Sequence, residues 1–217
     1  MTVENNIAPS SPAELLGDTH PLLEQLGSAE SVSVTGALTH ALELRSVTDL
    51  PSLRNFLDAY RKEILLPVEF PAIVRAYQHA ARGEANELIA LDSELANEGA
   101  IRPFAIASCR VGQRQLSKLR PMRDQRLVQR YLAAIEAGRA KGWHTLVYGV
   151  SLAMFSLPLH QGLQNYAEQT VRGFVESAAR SLRLRETDCE ALLAVQAAEV
   201  PVAIASMLNA SKQLTIS

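Results

Sequence analysis

Five histidines, two cysteines and a spread of carboxylates are the groups in this 217-residue chain that could hold a metal, attack a carbonyl or move a proton. His20, His40, His79, His144 and His160 are scattered, and no two share a metal-ligand spacing. For His144, in Gly142-Trp143-His144, the expected role is a hydrogen bond or an interface contact rather than a ligand. Cys109 and Cys189 form no C-x-x-C motif. Cys109, between Ser108 and Arg110, reads as a small packed residue of a helix interior, activated by the arginine only if the site were open to solvent. Gly149-Val150-Ser151-Leu152-Ala153 approaches a nucleophile elbow but ends in alanine and falls in a predicted helix, so Ser151 is not expected to attack anything. There is no G-x-x-x-x-G-K-[ST], G-x-G-x-x-G or H-E-x-x-H. Glu186 and Asp188 could pair for acid–base work. Glu186 precedes and Asp188 lies within Thr187-Asp188-Cys189-Glu190, which has the form of a capping box, and so both read as part of a helix start. No catalytic, cofactor-binding or metal-binding residue is expected, and the chain is read as no enzyme.

The charges are arranged more tellingly. Residues 84–98 are acidic, with Glu84, Glu87, Asp92, Glu94 and Glu98. Beyond Arg102, the next stretch carries Arg110, Arg114, Lys118, Arg120, Arg123, Arg126 and Arg130, interrupted only by Asp124. Arg110, Arg114 and Lys118 lie four residues apart, on one flank of a helix. Two readings follow: solvated helix faces that attract each other across a hairpin, or a basic docking surface for an acidic protein partner. Nucleic acid is disfavoured, because no aromatic residue lies between Arg110 and Arg130 to stack a base and the pI is about 6.2.

The elements that must position these residues are helices. The chain holds 31 Ala and 31 Leu but only 11 Gly and 10 Pro. Alanine and leucine lead the helix scale while glycine and proline interrupt it. An all-α single domain, a bundle of about nine helices, is therefore expected. A weak first segment spans 34–44, followed by a turn at Thr48-Asp49. Leu53, Phe56, Leu57, Tyr60 and Ile64 put one apolar face on 50–65. A break at Pro67 is expected, with Pro71 in the first turn of a helix to about Ala81. Further helices are read at 84–95, at 103–119 (opened by Pro103), at 124–138, at 143–155 (buried), at 158–183 and at 187–208. The last is apolar on most sides, so the late helices should form the core or an oligomer contact.

The ends are read as tails: polar, proline-bearing residues 1–13, without the basic and apolar regions of a secretory signal, and residues 211–217, with the helical domain at 14–210. The uncharged stretch 142–167 has an apolar part, Thr145 to Leu159, too short to span a bilayer. With only two cysteines and no disulfide framework, the expected setting is cytoplasmic.

From Val47 onward the chain resembles the urease accessory protein UreF family. The resemblance rests on Leu53-Arg54-Asn55-Phe56-Leu57, Leu66-Pro67, Ala76-Tyr77 with Ala80-Ala81, Leu91-Asp92 with Leu95, and the Ser108/Gly112 pair. It continues through His144-Thr145-Leu146-Val147-Tyr148-Gly149, Leu157-Pro158-Leu159, Tyr166, Ala179-Arg180 and Glu186 to Glu190. Where the family shows P-x-G-x-F-x-H-S-x-G-L-E, this chain has Gly36-Ala37-Leu38-Thr39-His40 and then Leu42-Glu43. The resemblance implies an all-helical, dimer-forming adaptor without catalysis of its own. Such an adaptor scaffolds UreD (or UreH) and the GTPase UreG while nickel enters apo-urease. It marks Arg102, His144, Tyr148, Arg180, Glu186, Thr187 and Asp188 as partner-interface candidates, beside Arg110 and Arg114 from the basic flank. The alternative expectation is a helical protein-binding or regulatory module that keeps the fold without the urease role.

Overall fold

A computed structural model describes residues 46–122 and 125–214, with side-chain burial described to residue 208. The tail 1–13, the segment 34–44, His20, His40, Arg123, Asp124 and most of the C-terminal tail lie outside the described residues or their described side chains. The elements in chain order are α1 (Leu50–Tyr60), a π-helical stretch (Arg61–Glu69), α2 (Phe70–Ala81), α3 (Ala85–Leu95) and a 3₁₀ stretch (Gly99–Phe104). Then follow α4 (Ala105–Lys118), α5 (Arg126–Glu136), α6 (His144–Met154), α7 (Leu159–Leu182) and α8 (Glu186–Leu214). All regular structure among the described residues is helical, as composition required. The count of about nine is not confirmed.

One reason is that the expected break at Pro67 does not occur. Residues 61–69 widen into a π-helix that carries Pro67 and hands directly over to α2, with the Phe70 amide bonding the Leu65 carbonyl. A wider turn moves the carbonyl that a proline ring would strike in an α-helix, and the proline has no amide to lose. Pro71 sits in the first turn of α2, as expected. The capping box expected at Thr187 is also corrected. The last helix already begins at Glu186, where Asp188 is held by the Arg185 guanidinium at 2.9 and 3.0 Å. A capping box forms instead at α1, where the Asp49 carboxylate accepts from the Ser52 amide at 2.8 Å and the Ser52 hydroxyl accepts from the Asp49 amide at 3.0 Å.

The bundle is organised around α6, whose residues from Thr145 to Leu152 are all buried. Its most extensive pairing is with α2. Gly149 makes this possible, since a Cβ there would lie 2.5 Å from the Ile73 carbonyl oxygen. α4 packs on a second side of α6, α3 and α5 pack together beside α2, and α7 joins α1 and α2 to α8. Phe56, Tyr60 and Phe174 form an edge-to-face cluster where α1 meets α7, with centroids 4.8 and 4.9 Å apart.

Candidate partner-binding surfaces and the polar core behind them

The residues that looked capable of chemistry divide into an interior set and a surface set. In the interior, the π-helical stretch ends by turning Glu69 inward. Its carboxylate accepts hydrogen bonds from the Tyr60 and Tyr166 hydroxyls. Both tyrosines are buried, so although Glu69 keeps some exposed surface its ionisable end is out of water, and burial pushes the carboxyl up to about 7. Tyr166 also stacks on the His144 ring, centroids 5.7 Å apart. His144 is likewise only partly exposed, and loss of hydration lowers its pKa to about 4. Tyr148, 2% exposed, donates to the Gly162 carbonyl at 3.0 Å and accepts from Asn165 at 3.1 Å. His144 and Tyr148 thus meet in the core, and whatever Tyr148 offers a partner passes through the packing around it.

A second interior tie was not anticipated. The fully buried Asp92 carboxylate accepts from the Tyr131 hydroxyl at 2.6 Å and from the Lys141 and Gly142 amides at 2.6 and 2.8 Å. One side chain of α3 therefore fixes α5 and the corner leading into α6. That corner needs Gly142, at φ +72°, and it is received by the S-x-x-x-G pair of α4. Ser108 accepts from the His144 amide at 3.1 Å, and a Cβ on Gly112 would lie 2.1 Å from the Gly142 carbonyl oxygen. Pairing Leu91-Asp92 with Ser108/Gly112 was visible in the sequence as two motifs, but nothing there showed that they grip the same loop.

Ser151 donates to the Val147 carbonyl at 2.8 Å inside α6 and is not at an elbow. Cys109 is half-buried, and burial raises its thiol to about 11, which suits a packed residue. No cluster of three or more metal-ligating side chains exists among the described residues.

On the surface, Arg102, Arg110, Arg114, Arg180, Glu186 and Thr187 are exposed and Asp188 is half-buried. They do not form one patch in sequence order: the first three border α4, the others the junction of α7 and α8. Two acids of the acidic stretch pair with cations outside the basic one. Glu94 pairs in two-pronged fashion with Arg75 at 2.6 and 2.7 Å, and Glu84 binds Arg82 and His79, each at 2.8 Å. Arg130 donates to the Asn86 amide oxygen at 3.1 Å.

The surface of α8 is the clearest departure from an ordinary globular face. Leu192, Gln196, Val200 and Ile204 dock it on the body, buried to 3% or less. Gln196 donates to Asp58 and accepts from Arg61, which also pairs with Glu199. About 160° around the helix runs a second row, Ala191, Val195, Ala198, Val202 and Ala205, all exposed. Val195 is 48% and Val202 73% exposed. Their spacing of 4, 3, 4 and 3 is that of a helix–helix seam. By length and composition the span Glu186–Leu208 could cross a membrane, with mean hydropathy 1.8 and 22% of its most apolar window buried.

The UreF family model matches residues 47–197. A urease accessory protein UreF from Bacillus sp. (strain TB-90) is 21% identical over 178 residues, covering 79% of this chain and 78% of that protein.

Proposed function

The chain belongs to the UreF family, and from that premise we propose that it is a urease-maturation adaptor whose work is to hold other proteins in place. In this reading it assembles as a homodimer in the cytoplasm. It brings a UreD- or UreH-like protein and a UreG-like GTPase to apo-urease, into which nickel passes as cargo. The observation that carries the reading is the outer row of α8. An isolated globular chain leaves few contiguous apolar surfaces bare. Here Ala and Val repeat at seam spacing on a helix whose other side is already fixed by Leu192, Gln196 and Val200. Small side chains in such a row let a second helix approach closely, and each buried valine adds about 1.5 kcal/mol or more to an association. Arg180, Glu186, Thr187 and Asp188, where α7 hands over to α8, are assigned to the rim of the same contact. Polar rim residues set orientation more than affinity.

The test is retention of the partners. Immobilised full-length chain should retain the host's UreD and UreG homologues, and light scattering should report a dimer. Val202→Glu should abolish at least one of these associations while leaving the circular-dichroism spectrum and melting temperature unchanged. Failure of well-folded protein to retain either homologue would favour the stand-alone binding module instead.

A further inference from the structure

We propose that the outer edge of α4 is a docking site for an acidic protein segment that carries an apolar side chain between its carboxylates. Arg102, Ile106 and Arg110 stand four residues apart, on successive turns where the 3₁₀ stretch passes into α4. Within α4 that interval puts Ile106 and Arg110 on one edge, roughly 5–6 Å apart, while Arg102 precedes them near the end of the 3₁₀ stretch. All three are exposed, and Ile106, at 79%, is the most exposed large apolar side chain among the described residues. A lone surface isoleucine needs no explanation. An isoleucine bracketed by two guanidinium groups has the makings of an interface centre, with the apolar anchor supplying area and the arginines taking paired carboxylates.

Neither Arg102 nor Arg110 has a carboxylate partner among the described residues. Three of the five preceding acids are committed elsewhere: Glu94 to Arg75, Glu84 to Arg82 and His79, Asp92 to Tyr131 and two amides. Arg114 and Lys118 continue the row at the same interval, and exposed Arg126 opens the next helix. The result is a local positive surface on a chain of net charge −2. A protein segment is the occupant because the apolar residue at the centre is aliphatic and none of the row's residues is aromatic, so a base has nothing to stack on.

This site deepens the adaptor reading, on which it rests for the existence of a protein partner, but it lies on a different helix from the α8 row. Its test uses the full chain and a fluorescein-labelled peptide, Glu-Glu-Leu-Leu-Glu-Glu, followed by fluorescence anisotropy. Binding should be present at about 50 mM NaCl and weaken roughly tenfold by about 300 mM, as screening requires. Arg110→Glu and Ile106→Ser should each weaken it at least about fivefold. Replacing both peptide leucines by serine should cost the parent chain affinity and cost Ile106→Ser little more, the signature of two groups that touch. Absence of peptide binding, indifference to Ile106, or tighter binding of a single-stranded oligonucleotide would each overturn the proposal. A chain that binds the peptide yet fails to retain UreD and UreG homologues keeps this site and loses the adaptor reading. Retention of both homologues, unimpaired by Arg110→Glu and Ile106→Ser and without peptide binding, does the reverse.

Discussion

Two ionisable groups that share Tyr166 should nearly cancel each other's effect on stability, and each substitution should unmask the other. Glu69 titrates at about 7 in the folded chain because its carboxyl is buried, against about 4.5 unfolded. Between those values the folded state holds the extra proton, so stability falls as pH rises, by up to about 1.4 kcal/mol per unit. His144 is depressed to about 4 by loss of hydration, against about 6.5 unfolded. Between those values the unfolded state holds the extra proton, so stability rises with pH at a similar slope. From about pH 4.5 to 6.5 the two terms oppose. Glu69→Gln keeps an acceptor for the tyrosine hydroxyls and removes the first term. His144→Phe keeps a ring against Tyr166 and removes the second. Urea unfolding followed by circular dichroism at half-unit steps from pH 5 to 7 reads both. The difference between Glu69→Gln and parent should grow with pH, reaching on the order of 2–3 kcal/mol across the range. The difference between His144→Phe and parent should fall with pH up to about 6.5. Subtracting the parent removes the background of all other titrations. A constant difference, within about 0.5 kcal/mol at every pH, would refute the placement of these groups out of water.

The corner before α6 supplies further tests. Asp92→Ala should destabilise by about 3–5 kcal/mol, because the Tyr131 hydroxyl and two amides lose their acceptor in a buried site, and Asp92→Asn by less; thermal melts check both. Gly112→Ala should cost about 2 kcal/mol or more despite alanine's better helix propensity, since the Cβ meets the Gly142 carbonyl, and a gain in melting temperature would contradict that contact. Cys109, raised to about 11, should react with iodoacetamide at pH 8 on the order of a hundredfold more slowly than a free thiol of ordinary pKa, read by mass spectrometry after timed quenching.

Most of the helices could be read from local signals because those signals are themselves local. Pro71, Pro103 and Pro158 each stand within or just before a helix's first turn or the 3₁₀ stretch leading into one, and the Leu53–Ile64 spacing marks the buried side of α1 and its continuation. Pro67 misled for a physical reason: a proline ends an α-helix only if the turn keeps its α pitch, and here the pitch gives way. Thr187 misled because S/T-x-x-E describes a possible cap, while the helix already starts at Glu186, beside the Arg185–Asp188 pair. Asp92 was quoted within a motif, but its role depends on three donors that come from 39 to 50 residues away. No window of sequence contains that information. Ile106 escaped notice for the opposite reason: exposure is decided by what fails to cover a residue.

The residues that carry the family resemblance turn out to be mainly those that join helix to helix. Ser108 and Gly112 receive the corner at Gly142, Gly149 lets α2 approach α6, Asp92 ties α3 to α5, and Tyr148 and Tyr166 bind α6 to α7. They specify how the bundle closes, and they are mostly inside it. The surfaces proposed to meet other proteins are made of different residues: Arg102, Ile106 and Arg110 on one edge, and the Ala/Val row of α8, whose Ala198, Val202 and Ala205 lie beyond the matched span 47–197. Closing the bundle demands particular small and buried side chains, since an added Cβ or a lost acceptor cannot be relieved in a packed interior. A docking face can be satisfied by any set that matches its own partner in shape and charge. A 21% identical relative can therefore share this fold while the faces differ, and partner choice should follow the exposed rows rather than the motifs. Exchanging the α8 row for that relative's corresponding residues should accordingly alter which homologue is retained while leaving the melting temperature close to the parent's.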